Sequence, residues 1–430
     1  MCSYPTEIEL QDSDLRPDKP VVCPSVFPIL ENTVDYNAFF RNHLESNIPC
    51  LIRNYKPMKN WQSCTDWVDI HKNIPNLGYF EKIIDIDTHS VPVSNCGKRY
   101  FNSQEKCNMT FELFMNEWKL SEAKETSNLY YLKDWHFVKE VPQYNAYQTP
   151  HFFISDWLNE YLEDSDEELI VEDNFHKSDY KFVYIGPQGS WTPFHSDVFG
   201  SFSWSANIVG EKEWIFFPPG YEKYLMDPST HELFYNICDI IPSGGEFLEK
   251  LTFTYKGNEI IYYKILQKPN EIIFVPSLWH HQVTNTRGAI SINHNWFNAT
   301  NIKLIWKILT EELDKVKTEI SDCRSTCKNE EEWNDMCQNL LRASHGMNIA
   351  DFLHICNYIR NKRIAKLENA SGTSLKTRFD TGLKHTLYEL KALKSIYCDM
   401  AKKSVSPLCE TEHLEIIIDS INEVLSRYEA

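Results

Sequence analysis

A β-rich stretch between residues 181 and 298 most constrains how this chain can fold. Short runs of strand-forming residues follow one another there, and glycine or proline separates many of them. Strands of this length and spacing are typical of a barrel or of two packed sheets. The pattern predicts a β core made of the segments 181–185, 192–197, 201–209, 212–217, 259–266, 271–275, 281–285 and 289–296.

The sequence on either side of this stretch has a different pattern. After residue 298, apolar residues recur at the i, i+3, i+4 spacing of amphipathic helices, which predicts an α-helical C-terminal bundle over 301–430. The predicted helices are 302–320, 331–344, 348–368, 382–400 and 412–428. Residues 26–150 mix helix and strand patterns and are expected to pack on a core spanning 151–300. The polar, proline-containing residues 1–25 predict a flexible arm.

The amino-acid composition limits the kinds of molecule that this protein is expected to bind. The chain has 430 residues and a formal net charge of −18, because 61 acidic residues outnumber 43 basic ones. An acidic surface disfavours direct binding to nucleic acid and favours a basic partner. Apolar runs fall far short of the about 20 residues that cross a membrane. The first residues have neither the basic nor the apolar segment of a secretion signal, so we expect a cytoplasmic or nuclear protein with reduced cysteines and no membrane partner.

Three histidines are each followed two positions later by a carboxylate. The pairs are His43/Glu45, His195/Asp197 and His413/Glu415. Residues i and i+2 point about 200° apart around a helix, so the first and third pairs, which lie in helical patterns, cannot readily share an ion. In a strand, i and i+2 emerge on the same face. Only the second pair, in the predicted strand 192–197, has the geometry of two metal ligands.

A third ligand is expected from the segment 272–285, IIFVPSLWHHQVTN. His280 and His281 are adjacent there, so they point to opposite sides of a strand and only one can face the interior. Two histidines and one carboxylate leave three coordination positions open, which is the arrangement of non-heme Fe(II) oxygenases. The alternative is that these histidines are ordinary core or surface residues, because structural histidines outnumber metal ligands.

Lys212 begins the segment KEWIFFP, in which alternation places it on the same face as Trp214 and Phe216. A lysine beside aromatic residues on the inner face of a sheet is placed to form an ion pair with a buried carboxylate. The alternative is a solvated lysine in the turn GEKE, since lysines are usually exposed.

Two stretches carry a resemblance to a known family. WTPFHSDVFGSFSWSANIVGEKEWIFFPP begins at Trp191, and EIIFVPSLWHHQVTNTRGAISINHNWF begins at Glu271. Together they contain an HxD motif, a lysine 17 residues after its histidine, and an FVPxxWxH segment, in that order. This combination resembles the jumonji C (JmjC) family of Fe(II)- and 2-oxoglutarate-dependent oxygenases. The resemblance covers the β core and, more loosely, the region from about residue 26, but not the helical C-terminus.

The resemblance implies a role for individual residues. The iron ligands of the family fall on His195, Asp197 and His281, while His280 stands where relatives often have an aromatic residue. The remaining implied contacts are with 2-oxoglutarate: Lys212 for its distal carboxylate, together with Thr192, Tyr184 and Asn293. Some relatives have an asparagine ten positions after the first histidine. Here Ser205 stands at that position and Asn207 lies nearby, so this contact stays open between the two.

The resemblance also implies a fold and an activity. The fold is of the α+β class, with a double-stranded β-helix (a cupin-like jelly roll) as the JmjC catalytic core at 151–300. Within the family the two stretches resemble lysyl hydroxylases of the eukaryotic translation termination factor. This implies C-hydroxylation of a lysine side chain, with Fe(II) as cofactor, 2-oxoglutarate and O2 as co-substrates, and that factor as protein partner. Two alternatives stay open, an N-methyl-lysine demethylase with the same cofactors and a non-catalytic interaction scaffold.

Overall fold

The computed structural model describes residues 8–9, 22–31, 34–164, 179–368, 379, 381–403 and 411–428. The strands within these residues are β1 (Ile29–Glu31), β2 (Cys50–Arg53), β3 (Val68–Asp69), β4 (Ile74–Pro75), β5 (Ser90–Tyr100), β6 (Ser103–Thr110), β7 (Tyr130–Trp135), β8 (Lys181–Gly186), β9 (Trp191–His195), β10 (Phe202–Phe217), β11 (Lys250–Tyr255), β12 (Asn258–Gln267), β13 (Ile272–Val275) and β14 (His280–Trp296).

The α-helices are α1 (Tyr36–Phe39), α2 (Gln62–Asp66), α3 (Phe111–Glu122), α4 (Phe137–Glu140), α5 (Trp157–Asp164), α6 (Ile302–Glu319), α7 (Glu330–His345), α8 (Ile349–Glu368), α9 (Leu383–Lys403) and α10 (Thr411–Ser426). The C-terminal helices α6 to α10 agree with the predicted ones to within three residues at each end. No helix among the described residues is long and apolar enough to span a lipid bilayer.

Two long antiparallel strands, β10 and β14, organise the core. The first half of β10 pairs with β13 and with the second half of β14. The second half of β10 pairs with β12 and with the first half of β14, which in turn pairs with β9. Each of the two strands therefore changes its other neighbour along its length, β10 from β13 to β12 and β14 from β9 to β8. The predicted α+β class and double-stranded β-helix core are confirmed.

A bulge lies midway along the pairing of these two strands, where β10 exchanges β13 for β12 as its other neighbour. The pairing register shifts three times between Asn207 and Lys212. Gly210 lies in the bulge with a φ of +83°, and a Cβ atom there would lie 2.0 Å from the carbonyl oxygen of Gly288. Only glycine allows this backbone conformation and this close approach of the two strands.

The bulge explains where the predicted strands were wrong. Segments 201–209 and 212–217 are one strand, β10, and segments 281–285 and 289–296 are one strand, β14. Glycines at the bulge resemble turn signals in the sequence, but the ladder continues through them. Strand 192–197 is shorter than predicted, because β9 ends at His195, and β11 was not predicted.

The N-terminal region extends the main sheet at both edges. On one edge β2 pairs with β13, and β1 pairs with β2; on the other, β7 pairs with β8 and continues through β5 to β6. Of the predicted flexible arm, 1–25, most residues lie outside the described ones. Among those described, Ile8 is buried in the core, and the Tyr263 hydroxyl donates to the carbonyl of Pro24 at 2.7 Å.

Candidate functional site

His195 and Asp197 lie together at the end of β9. His195 is the last residue of the strand, and Asp197 follows in extended backbone with φ −63° and ψ 149°. The same-face geometry therefore holds, although the carboxylate lies just beyond the strand. The Ser203 hydroxyl donates to Oδ2 of Asp197 at 2.7 Å and orients the carboxylate.

His281 completes a cluster with these two residues. It pairs directly with His195 across β14 and β9, and the two imidazole centroids are 4.4 Å apart. One potential ligand atom from each of the three side chains lies within 4.8 Å of the other two. Among the described residues, this is the group of three or more metal-ligating side chains close enough to hold one ion.

Backbone hydrogen bonds define which imidazole nitrogen is available. Nδ1 of His195 lies 2.8 Å from the carbonyl oxygen of Pro193, and Nδ1 of His281 lies 3.0 Å from that of Trp279. A carbonyl oxygen only accepts, so each Nδ1 must carry the proton and each Nε2 is left as a lone-pair donor. Metal-ligating histidines typically donate such a hydrogen bond from the ring nitrogen that does not bind the metal. Burial lowers the pKa of His281 to about 4, which keeps its imidazole neutral.

His280 points the other way. Its ring packs on Phe194, with centroids 5.5 Å apart, on the opposite side of β14 from the cluster. His281 instead contacts the rings of Trp214 and Phe216, each 5.5 Å away. Strand alternation therefore separates the two adjacent histidines, and only His281 joins the cluster.

Lys212 lies in the interior beside this cluster. It is 2% exposed, so the alternative of a solvated turn lysine is wrong. Its ammonium donates to the Tyr131 hydroxyl and to Oδ1 of Asn285, both at 3.0 Å. Burial, together with repulsion from Lys133, lowers the pKa of Lys212 to about 7. Among the described residues, no carboxylate forms an ion pair with it, so its buried charge lacks a counter-ion.

The other residues implied by the resemblance line the same pocket. Tyr184, Thr192 and Asn293 all border it together with the cluster and Lys212. Two of them have protein partners: the Tyr184 hydroxyl donates to Oδ1 of Asp134 at 2.9 Å, and Nδ2 of Asn293 donates to Ser291 at 3.3 Å.

The structure separates the two residues that the sequence left open. Ser205 borders the pocket. Asn207 does not; its amide donates to the carbonyl of Gly210 at 2.8 Å and so holds the bulge.

The sequence analysis missed several polar residues of this site: Tyr131, Ser203 and Asn295 line the pocket, and Asn285 accepts from the Lys212 ammonium without lining it. Strand alternation was an available signal for Asn285, because it lies four residues after His281 and so shares its face. The same rule relates Asn295 to Asn293, and Ser203 to Ser205. Tyr131 carries no such signal, since β7 lies outside the motif-bearing core and reaches the pocket only through sheet pairing.

A second, wider cleft of about 470 Å³ opens on the outer side of the cluster. It shares Tyr184, Thr192, His195, Asp197 and Asn295 with the inner pocket, so the two spaces meet at the cluster. Its other walls include aromatic and charged side chains: Lys106, Lys133, Asp134, His136, Asp179, Tyr180 and Phe182. The inner pocket thus has a buried cation, and the outer cleft gives access from the surface.

Comparison with known proteins identifies the family. A family model described as "JmjC domain, hydroxylase" matches residues 182–296. The 2-oxoglutarate and iron-dependent oxygenase JMJD4 of Danio rerio is 38% identical over 353 residues, which are 81% of this chain and 78% of that protein. Its homolog in Drosophila melanogaster is 37% identical over 390 residues, 84% of this chain and 85% of the homolog.

A plant relative has a different name. The arginine-specific demethylase JMJ20 of Arabidopsis thaliana is 40% identical over 326 residues, which are 74% of this chain and 66% of that protein. The similarity to all three relatives extends well beyond the JmjC domain itself. This chain therefore belongs to the JmjC family of oxygenases, which use Fe(II) as the metal and 2-oxoglutarate and O2 as co-substrates.

Proposed function

We propose that this chain is a protein hydroxylase that adds one oxygen atom to a carbon of a lysine side chain, and that its substrate is the translation termination factor. Two observations support the reaction class: the cluster of His195, Asp197 and His281, and the buried cation beside it. The substrate is proposed from the resemblance of the stretches beginning at Trp191 and Glu271 to lysyl hydroxylases of that factor.

The donor set of the cluster fits Fe(II). His195 and His281 would each offer Nε2 and Asp197 one carboxylate oxygen, which leaves the remaining coordination positions open for other ligands. When bound, the metal and co-substrate supply the oxidising chemistry, in which 2-oxoglutarate becomes succinate and CO2 while one oxygen atom enters the substrate. The protein residues position these groups and shield them from water.

Lys212 is the observation that carries the assignment of the co-substrate. A buried ammonium without a counter-ion is costly, because desolvation is not repaid by an ion pair. The distal carboxylate of 2-oxoglutarate has the charge that this position lacks, and Tyr131 and Asn285 hold the ammonium in place from two sides. Thr192, Asn293 and Tyr184 line the space between Lys212 and the cluster and would contact the rest of the co-substrate.

The outer cleft is consistent with a substrate that presents an amino-acid side chain to the cluster. It borders His195 and Asp197 but not Lys212, and aromatic residues such as Tyr180 and Phe182 form part of its wall. A lysine side chain has a long aliphatic stem that such a wall can pack against, while its charged end remains near polar groups. The net charge of −18 also favours encounter with a basic segment of a partner.

The plant relative favours one alternative, N-demethylation by the same cofactors, since that protein is named an arginine-specific demethylase. The two reactions differ in their products. Hydroxylation of a carbon leaves the oxygen on the substrate, whereas hydroxylation of an N-methyl group releases formaldehyde.

The test is to incubate the enzyme with the termination factor, Fe(II), 2-oxoglutarate and O2, and to measure the substrate mass, succinate and formaldehyde together. We expect the mass of one added oxygen atom on a lysine-containing peptide, an equal amount of succinate, and no formaldehyde. Asp197→Ala serves as the inactive control. Formaldehyde with loss of a methyl group from a methylated peptide would overturn the proposal in favour of demethylation.

A substrate in the translation machinery would place the reaction in the cytoplasm. Imaging of the tagged full-length protein tests this: exclusion from the cytoplasm would contradict the proposed substrate.

A further inference from the structure

Asp134 is held in the outer cleft by an unusual backbone. It lies in β7 with a φ of +61°, in the left-handed region that a non-glycine residue seldom adopts. The pairing of β7 with β8 shifts register between Leu132 and Trp135, on either side of Asp134. Such irregularities re-aim a side chain, and strained residues of this kind cluster at functional sites. Here the result is a carboxylate on the wall of the cleft that leads to the metal cluster.

The two oxygens of this carboxylate have different partners. Oδ1 accepts from the hydroxyl of Tyr184 at 2.9 Å, and Tyr184 also lines the inner pocket. Oδ2 accepts from the ammonium of Lys106 at 3.0 Å. The Lys106 side chain is 66% exposed and that of Asp134 is 41% exposed. An exposed ion pair of this kind contributes little to stability, so a competing ammonium can displace Lys106 at small cost.

The other charged groups of the cleft are less available. Asp179 is paired with Nδ1 of His136 at 2.6 Å, and its side chain is only 14% exposed. The Lys133 ammonium donates to Oε1 of Gln104 at 2.9 Å and is buried. Asp134 is therefore the carboxylate of this cleft whose ion-pair partner, Lys106, is largely exposed to solvent, and that partner shows which chemical group the position accepts.

We propose that Asp134 binds the ε-ammonium of the substrate lysine, in the place that Lys106 occupies in the free protein. This inference rests on the proposed function and specifies its substrate: an unmodified lysine, recognised by a charged hydrogen bond to Oδ2. With the ammonium held on the cleft wall, the aliphatic stem is the part of the side chain that can reach the metal. A trimethylated lysine has no N–H to donate and would lose this contact.

The test is a cycle of binding measurements on the Fe(II)- and 2-oxoglutarate-loaded full-length enzyme without oxygen, so that no turnover occurs. The probes are a lysine peptide of the termination factor and the same peptide with norleucine in place of the lysine. Asp134→Asn keeps an acceptor oxygen for Tyr184 but removes the charge. We expect it to weaken binding of the lysine peptide by about 10- to 100-fold and to leave binding of the norleucine peptide unchanged.

Lys106→Gln provides the opposite change. It removes the competing ammonium, so the lysine peptide should bind severalfold more tightly, whereas the norleucine peptide should not respond. The matched controls are Glu105→Gln and Lys98→Gln. These residues form an exposed ion pair on the β5–β6 hairpin that also carries Lys106, with Oε2 of Glu105 3.2 Å from Nζ of Lys98 and the side chains 51% and 60% exposed. They do not line the cleft. They should leave the affinities of both peptides unchanged.

The same peptides, assayed with oxygen, separate this inference from the proposed function. If the lysine peptide is hydroxylated, but Asp134→Asn changes the affinity for the lysine and norleucine peptides equally, the role of Asp134 is overturned and the proposed hydroxylase function stands. If binding is selective for lysine and depends on Asp134, but the lysine peptide gains no oxygen atom in the assay, the site is supported and the proposed reaction is overturned. Neither binding nor hydroxylation of the lysine peptide by the unmodified enzyme would overturn both.

Discussion

His280 and His281 are neighbours in the sequence, and the direction of each side chain gives them different chemistry. One packs against Phe194 outside the cluster, and the other offers Nε2 to it. Truncating a ligand side chain removes one of the three protein donor atoms. Two remaining donors are too few to hold the ion at a site of this kind, in which the other coordination positions are open.

His281→Ala should therefore abolish 2-oxoglutarate turnover and weaken Fe(II) binding strongly, as should Asp197→Ala. His280→Ala is the matched control, since it removes an imidazole one residue away and should retain turnover. Succinate formation and anaerobic titration with Fe(II) measure the two effects. Turnover that survives Asp197→Ala would show that the cluster is not the metal site.

Lys212 should make binding of 2-oxoglutarate depend on pH. Its pKa of about 7 lies below the ordinary lysine value of 10.5, so its ammonium progressively loses its proton as the pH rises through 7. The co-substrate carboxylate favours the charged form. Below pH 7, Lys212 of the free enzyme is already protonated. Above pH 7, binding of 2-oxoglutarate requires Lys212 to take up a proton. Affinity for 2-oxoglutarate should therefore fall with rising pH, by up to roughly tenfold per unit.

Lys212→Met should remove this pH dependence and weaken 2-oxoglutarate binding by about 2–5 kcal/mol, while Fe(II) binding persists. Anaerobic calorimetry in buffers of different ionisation enthalpy measures both affinity and proton uptake. A flat affinity of the unmodified enzyme between about pH 6 and pH 9 would contradict the assignment.

At the scale of single elements, the bulge in β10 determines where Lys212 points. The register shifts end at Lys212, which pairs with Asn285, one of its two hydrogen-bond partners. Gly210 permits the bulge because it combines a left-handed backbone with close approach to β14. The short strand β9 likewise positions a side chain of the site, because its pairing with β14 places His195 directly opposite His281.

Gly210→Ala should destabilise the protein by about 2–4 kcal/mol, since the new Cβ meets the Gly288 carbonyl oxygen and the backbone is strained. It should also raise the 2-oxoglutarate requirement, because the bulge positions Lys212. Gly257→Ala is the control: its φ is +79°, but no atom lies within 4 Å of the added Cβ, so only about 1 kcal/mol is expected. Urea unfolding compares the two variants, and equal losses would contradict the role of the contact.

At the scale of the whole molecule, a buried charge network joins the C-terminal helices to the catalytic core. Arg363 in α8 donates to both carboxylate oxygens of Glu160 in α5, at 2.9 and 2.7 Å, and its Nε donates to Glu389 in α9. Glu389 also accepts from the indole of Trp157 at 2.9 Å. Burial would raise the pKa of Glu389, but Arg363 and His385 together hold it below its usual value.

Arg363→Met should destabilise the protein by about 3–5 kcal/mol, because Glu160 and Glu389 lose the buried guanidinium between them. Glu160 keeps only the partly exposed ammonium of Lys362, 3.0 Å from its Oε1. A carboxyl group with a depressed pKa contributes stability at neutral pH that is lost as the pH falls. The difference from the unmodified protein depends on the pKa of Glu389 in the two folded states, which lies below the ordinary value of 4.5 with Arg363 and is raised by burial without it. The difference should therefore shrink as the pH falls towards 4.5 and below it. Arg427→Met, which removes a half-exposed arginine from surface pairs, should cost less than about 1 kcal/mol. Urea unfolding at two pH values measures these effects, and a pH-independent loss would contradict the network.

Most core strands, the C-terminal helices and the motif-bearing residues could be predicted from the amino-acid sequence. Period-2 and period-3.6 patterns are local properties, so they located most core strands and the helices α6 to α10. The HxD and WxH segments are also local, and alternation along a strand was enough to restrict the third ligand to one of two adjacent histidines. Asn285 lay within reach of the same rule, four residues beyond His281 on one face.

Tertiary structure alone decided what arrives at the site from distant segments. Tyr131 and Asp134 come from β7, which reaches the pocket because β7 pairs with β8 and β8 with β14. The burial that lowers the pKa of Lys212, and the lack of a carboxylate partner among the described residues, also depend on packing around it. Gly210 resembles a turn in the sequence but is a bulge in a continuous strand. Strand pairing and burial join residues far apart in the chain, and no local pattern of residues specifies which segments will meet.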